Sequence, residues 1–475
     1  MEKVKKWIPS YVRLSTAGTQ VKAKKQMDNR QVEMMTTIPV GRLLRKFIPS
    51  AMLAMSCNAI FNICEMLIIC YGVGLDAIAA FACMFPIIIL VSGIAALVNS
   101  GYVSQLAVLL TDNEQEKALK VFGNAFVMML ISGLIITIVF EIFLEDMLRL
   151  CGASDVTLPY ALDYMRIMLV STILLFTMQG MGRLLHVIGR PRAQIVVQIG
   201  GITMNVILDI LFVLVFHWGM KGAAIASLIC ELSSWSIFII LLSDRRGFVH
   251  FTRRGLRVDK KIVMNLLSMG VSPFAINACG CIVALMINLS LLGIAGEQGD
   301  MYLGTYTIVQ RITQILVSLV TGLGLGVQII TNVNITRRNY IRVRALLMHA
   351  IFYSFVIMSV GYGIIALFSN QLMAFFTSDS QMIAIGATAL VIGLCTFPFV
   401  GSQMIAVSFF QAIRRPRTSM IISLTRQLLF LIPMLIILPH LIGVTGVWWS
   451  MALADVASVT ISWIMLYTET KKLSL

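Results

Sequence analysis

Charged residues are scarce in this sequence: Asp, Glu, Lys and Arg make up 12% of its 475 residues, whereas hydrophobic residues make up 58%. The mean hydropathy is +0.90. Because an ordinary soluble domain contains about a quarter charged residues, this composition excludes that class. We interpret the chain as an integral membrane protein.

Enzyme and nucleotide-binding signatures are also missing. The sequence has no P-loop, no GxSxG and no HExxH motif, which argues against an ATP-driven pump, a serine hydrolase and a metalloprotease. Its 9 cysteines and 5 histidines show neither metal-ligand spacing nor a disulfide framework. We therefore expect no enzyme, no cofactor and no resident metal. We also expect no cleavable signal peptide, because the first long apolar run starts too late and is too long.

Long apolar runs are abundant. Twelve of them are long enough to cross a hydrocarbon core of roughly 30 Å. We predict an all-α membrane protein with spans at 47–70, 79–104, 122–143, 160–183, 193–216, 220–243, 264–294, 303–330, 345–368, 382–411, 418–439 and 443–466.

Basic residues gather in every second connection between these spans. Residues 1–46 contain eleven Lys and Arg, and residues 244–261 contain seven. Cytoplasmic segments retain basic residues, so we expect both termini in the cytoplasm and the chain in the cell (inner) membrane. This asymmetry explains the net charge of +15 without nucleic acid. Further predicted inner loops carry Arg190, Arg192, Arg337, Arg338, Arg342, Arg344, Arg414, Arg415 and Arg417.

The chain contains an internal repeat. HVIGRPR at 186–192 returns as QAIRRPR at 411–417, and GMKGA at 219–223 returns as GVTGV at 443–447. Six spans, an even number, lie within one period, so both halves have the same orientation and should be related by a two-fold axis along the membrane normal. We predict two six-helix lobes at 47–243 and 262–466, a cytoplasmic linker at 244–261, and cytoplasmic tails at 1–46 and 467–475.

Two carboxylates lie deep inside apolar runs, Glu65 in the first span and Asp209 in the fifth. Each is about sixteen residues from the predicted cytoplasmic start of its span, roughly 24 Å at 1.5 Å per residue. Ionisable groups at such depth usually mark a transport pathway. Two carboxylates in one low-dielectric pocket would share a proton or hold a cation between them. The alternative is a structural role, with both groups tied to Ser, Asn or backbone atoms.

Oxygen-bearing side chains are predicted near Asp209. Asn205 lies one turn earlier on the same helical face, and Ser227 in the sixth span comes to a similar depth. Both are candidate cation or hydrogen-bond ligands, with interhelical polar contacts as the alternative. Glu231, one turn beyond Ser227, is a further candidate for which a titrating role and a structural role are both open. In the second half, Arg426 and Asp455 lie at comparable depth, and we predict a buried ion pair that locks this lobe.

Three stretches carry a resemblance to a known family: FNICEMLIICYGVG at 61–74, GITMNVILDILFVLVFHWGMKGAAIAS at 201–227 and FFQAIRRPRTSMIISLTRQLLFLIPMLIILPHLIGVTGVWWSMALAD at 409–455. The chain resembles the multidrug and toxic compound extrusion (MATE) transporters of prokaryotic type over essentially all of 40–470. It departs from the family pattern at several positions. Glu65 stands where Asp is usual, Ser227 where Thr is frequent and Glu231 where Gln is common, and Ile329 and Thr336 replace the residues of two further family motifs.

The resemblance implies a secondary active antiporter that exports organic cations by alternating access. It implies that the first lobe binds the coupling ion, H⁺ or Na⁺, through Glu65, Asp209, Asn205 and Ser227, with Na⁺ the only metal expected there. The expected partners are small amphiphilic organic cations and membrane lipids, with no nucleic acid, and the protein is expected to be a monomer. Alternatives are a lipid-linked saccharide flippase, disfavoured by the few Arg in the spans, a degenerate member with another small-molecule substrate, and a membrane enzyme.

Overall fold

The computed structural model describes residues 38–111, 114–188, 191–243, 249–251, 255–413 and 415–473. Most of the predicted N-terminal tail at 1–46 therefore lies outside the described residues. So do Arg190 and Arg414, parts of the predicted linker at 244–261, and the last two residues of the predicted tail at 467–475.

Helices account for the regular structure of the described residues. We number the principal ones α1 Val40–Gly72, α2 Leu75–Thr111, α3 Gln115–Leu150, α4 Leu158–Val187, α5 Pro191–Asp209 with a π-helical continuation Ile210–Val215, α6 Gly219–Leu242, α7 Lys260–Ala295, α8 Gly299–Thr336, α9 Tyr340–Leu367, α10 Ser380–Gly393 plus Phe397–Ala412, α11 Pro416–Leu424, Thr425–Leu431 and Ile432–Ile442, and α12 Thr445–Leu473. The middle segment of α11, Thr425–Leu431, is also π-helical.

Within the described residues, eleven helices are long and apolar enough to cross a membrane, and the two parts of α10, bent by 56°, together make a twelfth span. The prediction of an all-α membrane protein with twelve spans is confirmed. The helices extend beyond most predicted spans, because their ends carry polar residues that continue the helix outside the apolar run.

Matching residues of the repeat shape the two halves alike. Pro191 begins α5 and Pro416 begins α11, a position where proline loses no helical hydrogen bond. Gly219 and Gly443 both adopt positive φ, 61° and 68°, at the turns that lead into α6 and α12. A side chain would strain this left-handed backbone. The same turn is therefore built with the same residue type in each half.

The described chain divides into two compact units. Unit 1 contains Ile87–Met147 and Leu162–Ala278, and unit 2 contains the described part of Asp28–Pro86, Leu148–Ala161 and Cys279–Leu475. The units group residues that lie close together in space, whereas the predicted lobes at 47–243 and 262–466 were defined by the sequence repeat. The lobe boundaries therefore stay a prediction.

Close backbone crossings explain how the units group the helices. In unit 1, α2 and α7 meet at Gly270, where a Cβ would overlap the carbonyl group of Leu97. In unit 2, α1 packs along α8, and a Cβ on Gly322 would lie 2.6 Å from Met52 Cα. The first helix of each repeat thus packs against the second helix of the other repeat. This reciprocal packing agrees with an internal repeat.

Candidate functional site

Asp209, Asn205 and Ser227 lie together in unit 1, where α5 packs against α6. Asp209 is 0% exposed and Asn205 is 3% exposed. The Asn205 amide and the Ser227 hydroxyl group are 3.2 Å apart. A carboxylate, an amide and a hydroxyl group thus converge in an interior that excludes water, and these are the oxygen ligands that hard cations prefer.

The hydrogen bonds around Asn205 decide the orientation of its amide group. With the nitrogen turned toward the carboxylate, it donates to Asp209 Oδ2 at 3.1 Å, and the amide oxygen accepts from Ser227 Oγ at 3.2 Å and from Ser227 N at 3.1 Å. We adopt this orientation because it pairs every donor with an acceptor. Asn205 then bridges Asp209 to α6.

A change of helix type begins directly after Asp209. The π-helical segment Ile210–Val215 follows it, and Phe216 N donates to Leu211 O at 2.9 Å. Such π segments occur frequently at functional sites, because they widen the helix and free it from the regular hydrogen-bond ladder. No residue pattern indicated this feature.

Glu65 lies in α1, in unit 2, and is 7% exposed. It is thus buried within the protein, as the sequence analysis expected for a carboxylate inside a span. The structure assigns Asp209 to the other unit, so a shared site of these two carboxylates stays a prediction.

Glu231 lies on α6 one turn beyond Ser227. Its carboxyl oxygen Oε2 is buried and has no hydrogen-bond partner among the described residues. The side chain that interacts with this carboxyl group through hydrogen bonding is Ser171 of α4. Sequence reasoning did not identify Ser171, because a single serine in an apolar run gives no signal of its own.

Arg426 and Asp455 meet in unit 2. Arg426 Nε lies 2.7 Å from Asp455 Oδ1, with side chains 38% and 3% exposed. Thr396 Oγ1 donates to Asp455 Oδ2 at 3.4 Å. The carboxylate is buried as expected, but the arginine, in the π-helical segment of α11, is only half-buried. Its role as a lock stays a prediction.

Other polar groups escaped the sequence analysis. Asn124 of α3 donates from Nδ2 to Arg257 O at 3.0 Å and to Gly255 O at 3.3 Å, while its Oδ1 accepts from Asp259 N at 2.6 Å. One side chain therefore fixes the end of the predicted linker. The sequence did contain a signal for this contact: an asparagine within an apolar run, whose buried amide group requires hydrogen-bond partners.

The family model described as MatE matches residues 49–211 and 273–437, one match in each half of the chain. The chain belongs to the MatE family. The two matches begin at Pro49 and Pro273, which both lie inside helices, α1 and α7, so the family pattern itself repeats along with the fold.

Curated relatives align with most of the chain. It is similar to the multidrug export protein MepA of Staphylococcus haemolyticus, 23% identical over 400 residues that cover 84% of this chain and 86% of MepA. It is also similar to the probable multidrug resistance protein YoeA of Bacillus subtilis, 22% identical, covering 86% of this chain and 89% of YoeA. Relatives with these names are transporters, and the prediction that the chain is not an enzyme is confirmed.

Solved structures share the fold. An inward-facing multidrug resistance MATE family transporter of the MOP superfamily matches with a TM-score of 0.78 at 21% identity, covering 87% of this chain and 94% of that one. The MATE multidrug transporter DinF-BH matches with a TM-score of 0.77 at 29% identity, covering 92% of this chain and 97% of that one. The chain thus has the twelve-helix, two-lobe fold of the MATE transporters, as the sequence predicted.

Proposed function

We propose that this protein is a secondary active antiporter that exports small amphiphilic organic cations in exchange for H⁺ or Na⁺. The observation that carries the proposal is Asp209, a carboxylate with no exposed surface inside a membrane-spanning helix, bridged by Asn205 to Ser227. An ionisable group at that depth is costly unless function requires it.

The physical basis of coupling is a change of charge at Asp209. Without a bound cation, the carboxylate places a negative charge in a low-dielectric interior, which is unfavourable. A proton or Na⁺ lowers this penalty, so the loaded and unloaded proteins favour different conformations. A ligand shifts a conformational equilibrium only through its different affinity for the two states, and neutralisation of a buried charge supplies such a difference.

The ligand set around Asp209 suits either ion. A proton needs only a carboxylate oxygen, whereas Na⁺ also needs neighbouring oxygens. The Ser227 hydroxyl group offers one, and the Asn205 amide offers another once its oxygen turns from Ser227 toward the carboxylate. The role of Glu65 as a second coupling carboxylate rests on its position in the sequence and on its burial in α1. We include it in the proposal on those grounds.

The direction of transport and the substrates are inferred from the relatives. MepA is named a multidrug export protein, and DinF-BH is named a multidrug transporter. We extend export of small drug-like molecules to this chain on the basis of shared family and fold. The basic connections support a cytoplasmic location for both termini.

Transport in proteoliposomes tests the proposal. The purified full-length protein is reconstituted, and uptake or efflux of the fluorescent cation ethidium is followed under an imposed pH gradient, an imposed Na⁺ gradient, or neither. We expect transport against the ethidium gradient with one of the two ion gradients and none without. Ethidium movement that is indifferent to both gradients, or gradient-independent movement of a lipid-linked saccharide in a parallel assay, would contradict ion-coupled export.

A further inference from the structure

The repeat places two membrane-embedded carboxyl groups at equivalent positions. The alignment of the halves that pairs Gly219 with Gly443 also pairs Glu231 of α6 with Asp455 of α12. Each has a hydroxyl partner: Ser171 of α4 for Glu231, and Thr396, in the break between the two parts of α10, for Asp455.

These hydroxyl partners are themselves equivalent. The alignment that pairs Pro191 with Pro416, the first residues of α5 and α11, also pairs Ser171 with Thr396. The two halves therefore contain the same pair of a carboxyl and a hydroxyl group.

The halves differ in whether an arginine accompanies the carboxyl and hydroxyl groups. In the second half, Arg426 lies 2.7 Å from Asp455 and compensates its negative charge. The alignment that pairs the two prolines places Gly201 at the position equivalent to Arg426. A Cβ on Gly201 would lie only 2.8 Å from Ser234 Oγ, so a side chain there would require Ser234 to move. Glu231 thus occupies the position equivalent to Asp455 without an arginine at the position equivalent to Arg426.

The charged groups of the surrounding helices have other partners or other locations. On α4, Asp163 lies 3.3 Å from Lys221 of α6, and Arg166 lies 3.5 Å from Glu141. Arg183 interacts with Tyr102, and Asp209 of α5 is bridged by Asn205. Among the described residues, the titratable group that interacts electrostatically with Glu231 is the neighbouring Cys230 thiol.

The hydrogen bond that Ser171 makes within α4 leaves its oxygen able to accept from a carboxylic acid. The single hydroxyl proton of Ser171 is donated to Met168 O at 2.9 Å, so its oxygen is left as an acceptor. A protonated Glu231 can donate to that oxygen. An ionised Glu231 would compete for a proton that Met168 already receives, and its buried Oε2 would carry charge without compensation.

We propose that Glu231 is a second proton-binding site of the first half of the chain, separate from Asp209, and that it carries a proton exchangeable with solvent at neutral pH. The exchangeable proton acquires a transport role only within the proposed antiport function. Its presence can be measured without any transport.

Infrared spectroscopy of the purified full-length protein in lipid tests this proposal. A protonated carboxyl group gives a carbonyl band well separated from those of carboxylate and amide groups, and this band shifts when the proton is replaced by deuterium. We compare wild type with Glu231→Gln, a change that keeps the side-chain volume. We expect a carboxylic acid component in the wild type at neutral pH that shifts in D₂O, is lost at alkaline pH and is absent in Glu231→Gln, whatever band Asp209 contributes.

Two variants serve as matched controls. Asp455→Asn should leave the Glu231 contribution to this band unchanged, because Asp455 is a separate group paired with Arg426, and Ser171→Ala should move the band to higher frequency by removing its acceptor. The proposal is overturned if Glu231→Gln removes no carboxylic acid band, or if the band does not shift in D₂O. A band lost only in Asp209→Asn would overturn this proposal while supporting a proton at the coupling site.

Discussion

Trp235 donates its indole N–H to Thr177 Oγ1 at 2.9 Å, joining α6 to α4. The second half contains the same contact: Trp463 donates to Ser402 Oγ at 2.7 Å, joining α12 to α10. In both cases the hydroxyl group passes its own proton to a carbonyl group of its own helix. The acceptors Thr177 and Ser402 are equivalent in the repeat, whereas Trp463 lies one helical turn beyond the position equivalent to Trp235. Each half therefore joins its fourth and sixth helices by a similar contact that starts from a different position on the sixth helix.

We predict that this contact stabilises both halves to a similar extent. Thr177→Val and Ser402→Ala each leave an indole N–H without its acceptor, which should lower the free energy of unfolding by about 1 kcal/mol. Unfolding in mixed detergent micelles, followed by circular dichroism, measures this. Thr203→Val is the control, since its exposed hydroxyl group bonds only within α5. A control that destabilises as much as the other two changes would contradict the prediction.

The Arg426–Asp455 pair should show strong coupling in a double-mutant cycle. Asp455→Asn removes the charge that compensates Arg426, and because Arg426 is half-exposed, we expect a loss of about 1 to 3 kcal/mol. Arg426→Gln should cost at least as much, because it leaves a buried carboxylate alone. The double variant should be less destabilised than the sum of the single ones. Additive effects would show that the pair is not a lock.

Asn124 should control protease access to the end of the predicted linker. Asn124→Ala removes the hydrogen bonds to Gly255, Arg257 and Asp259. Loss of these contacts should favour local opening and accelerate tryptic cleavage after Arg257 about tenfold. Cleavage is followed by mass spectrometry, with Thr203→Val as the matched control. An unchanged cleavage rate at Arg257 would show that other contacts hold this segment.

Cys151 should resist thiol reagents while the protein is folded. It follows the last residue of α3 and is buried, and burial, with Cys281 as a smaller contribution, raises the pKa of its thiol from 9.0 to about 12. Since the thiolate is the reactive form, its fraction near pH 8 should be about a thousandfold lower than for a free thiol. Maleimide labelling mapped by mass spectrometry should be slow until detergent denaturation. Fast labelling of the folded protein would contradict the burial of Cys151.

The number of spans was predictable because apolar length is a strong signal in a membrane protein. The pairing of Arg426 with Asp455 was predictable from depth, since two opposite charges inside a bundle gain from meeting. Helix interruptions were not predictable. The π segments after Asp209 and around Arg426 and the 56° bend in α10 depend on packing against neighbouring helices, and no residue pattern announces them.

The hydroxyl partners were missed for a related reason. Ser171 and Thr396 are ordinary small residues in apolar segments, and only the three-dimensional arrangement shows that each lies beside a carboxyl group. The significance of Gly201 was missed as well. Gly201 is informative only after the structure shows that Arg426, its equivalent in the second half, pairs with Asp455.

In the proposed mechanism, Asp209 carries the coupling ion. Asp209→Asn keeps the volume of the side chain but can neither titrate nor supply a charge, so it should abolish gradient-driven ethidium transport in proteoliposomes while folding and ethidium binding stay close to wild type. Glu65→Gln should do the same, or shift the pH dependence of transport if Glu65 only tunes its neighbour. The most direct measurement is therefore ion-driven ethidium transport by well-inserted Asp209→Asn protein. We predict no transport above that of protein-free vesicles, and transport at the wild-type rate would contradict the assignment and redirect it to Glu231.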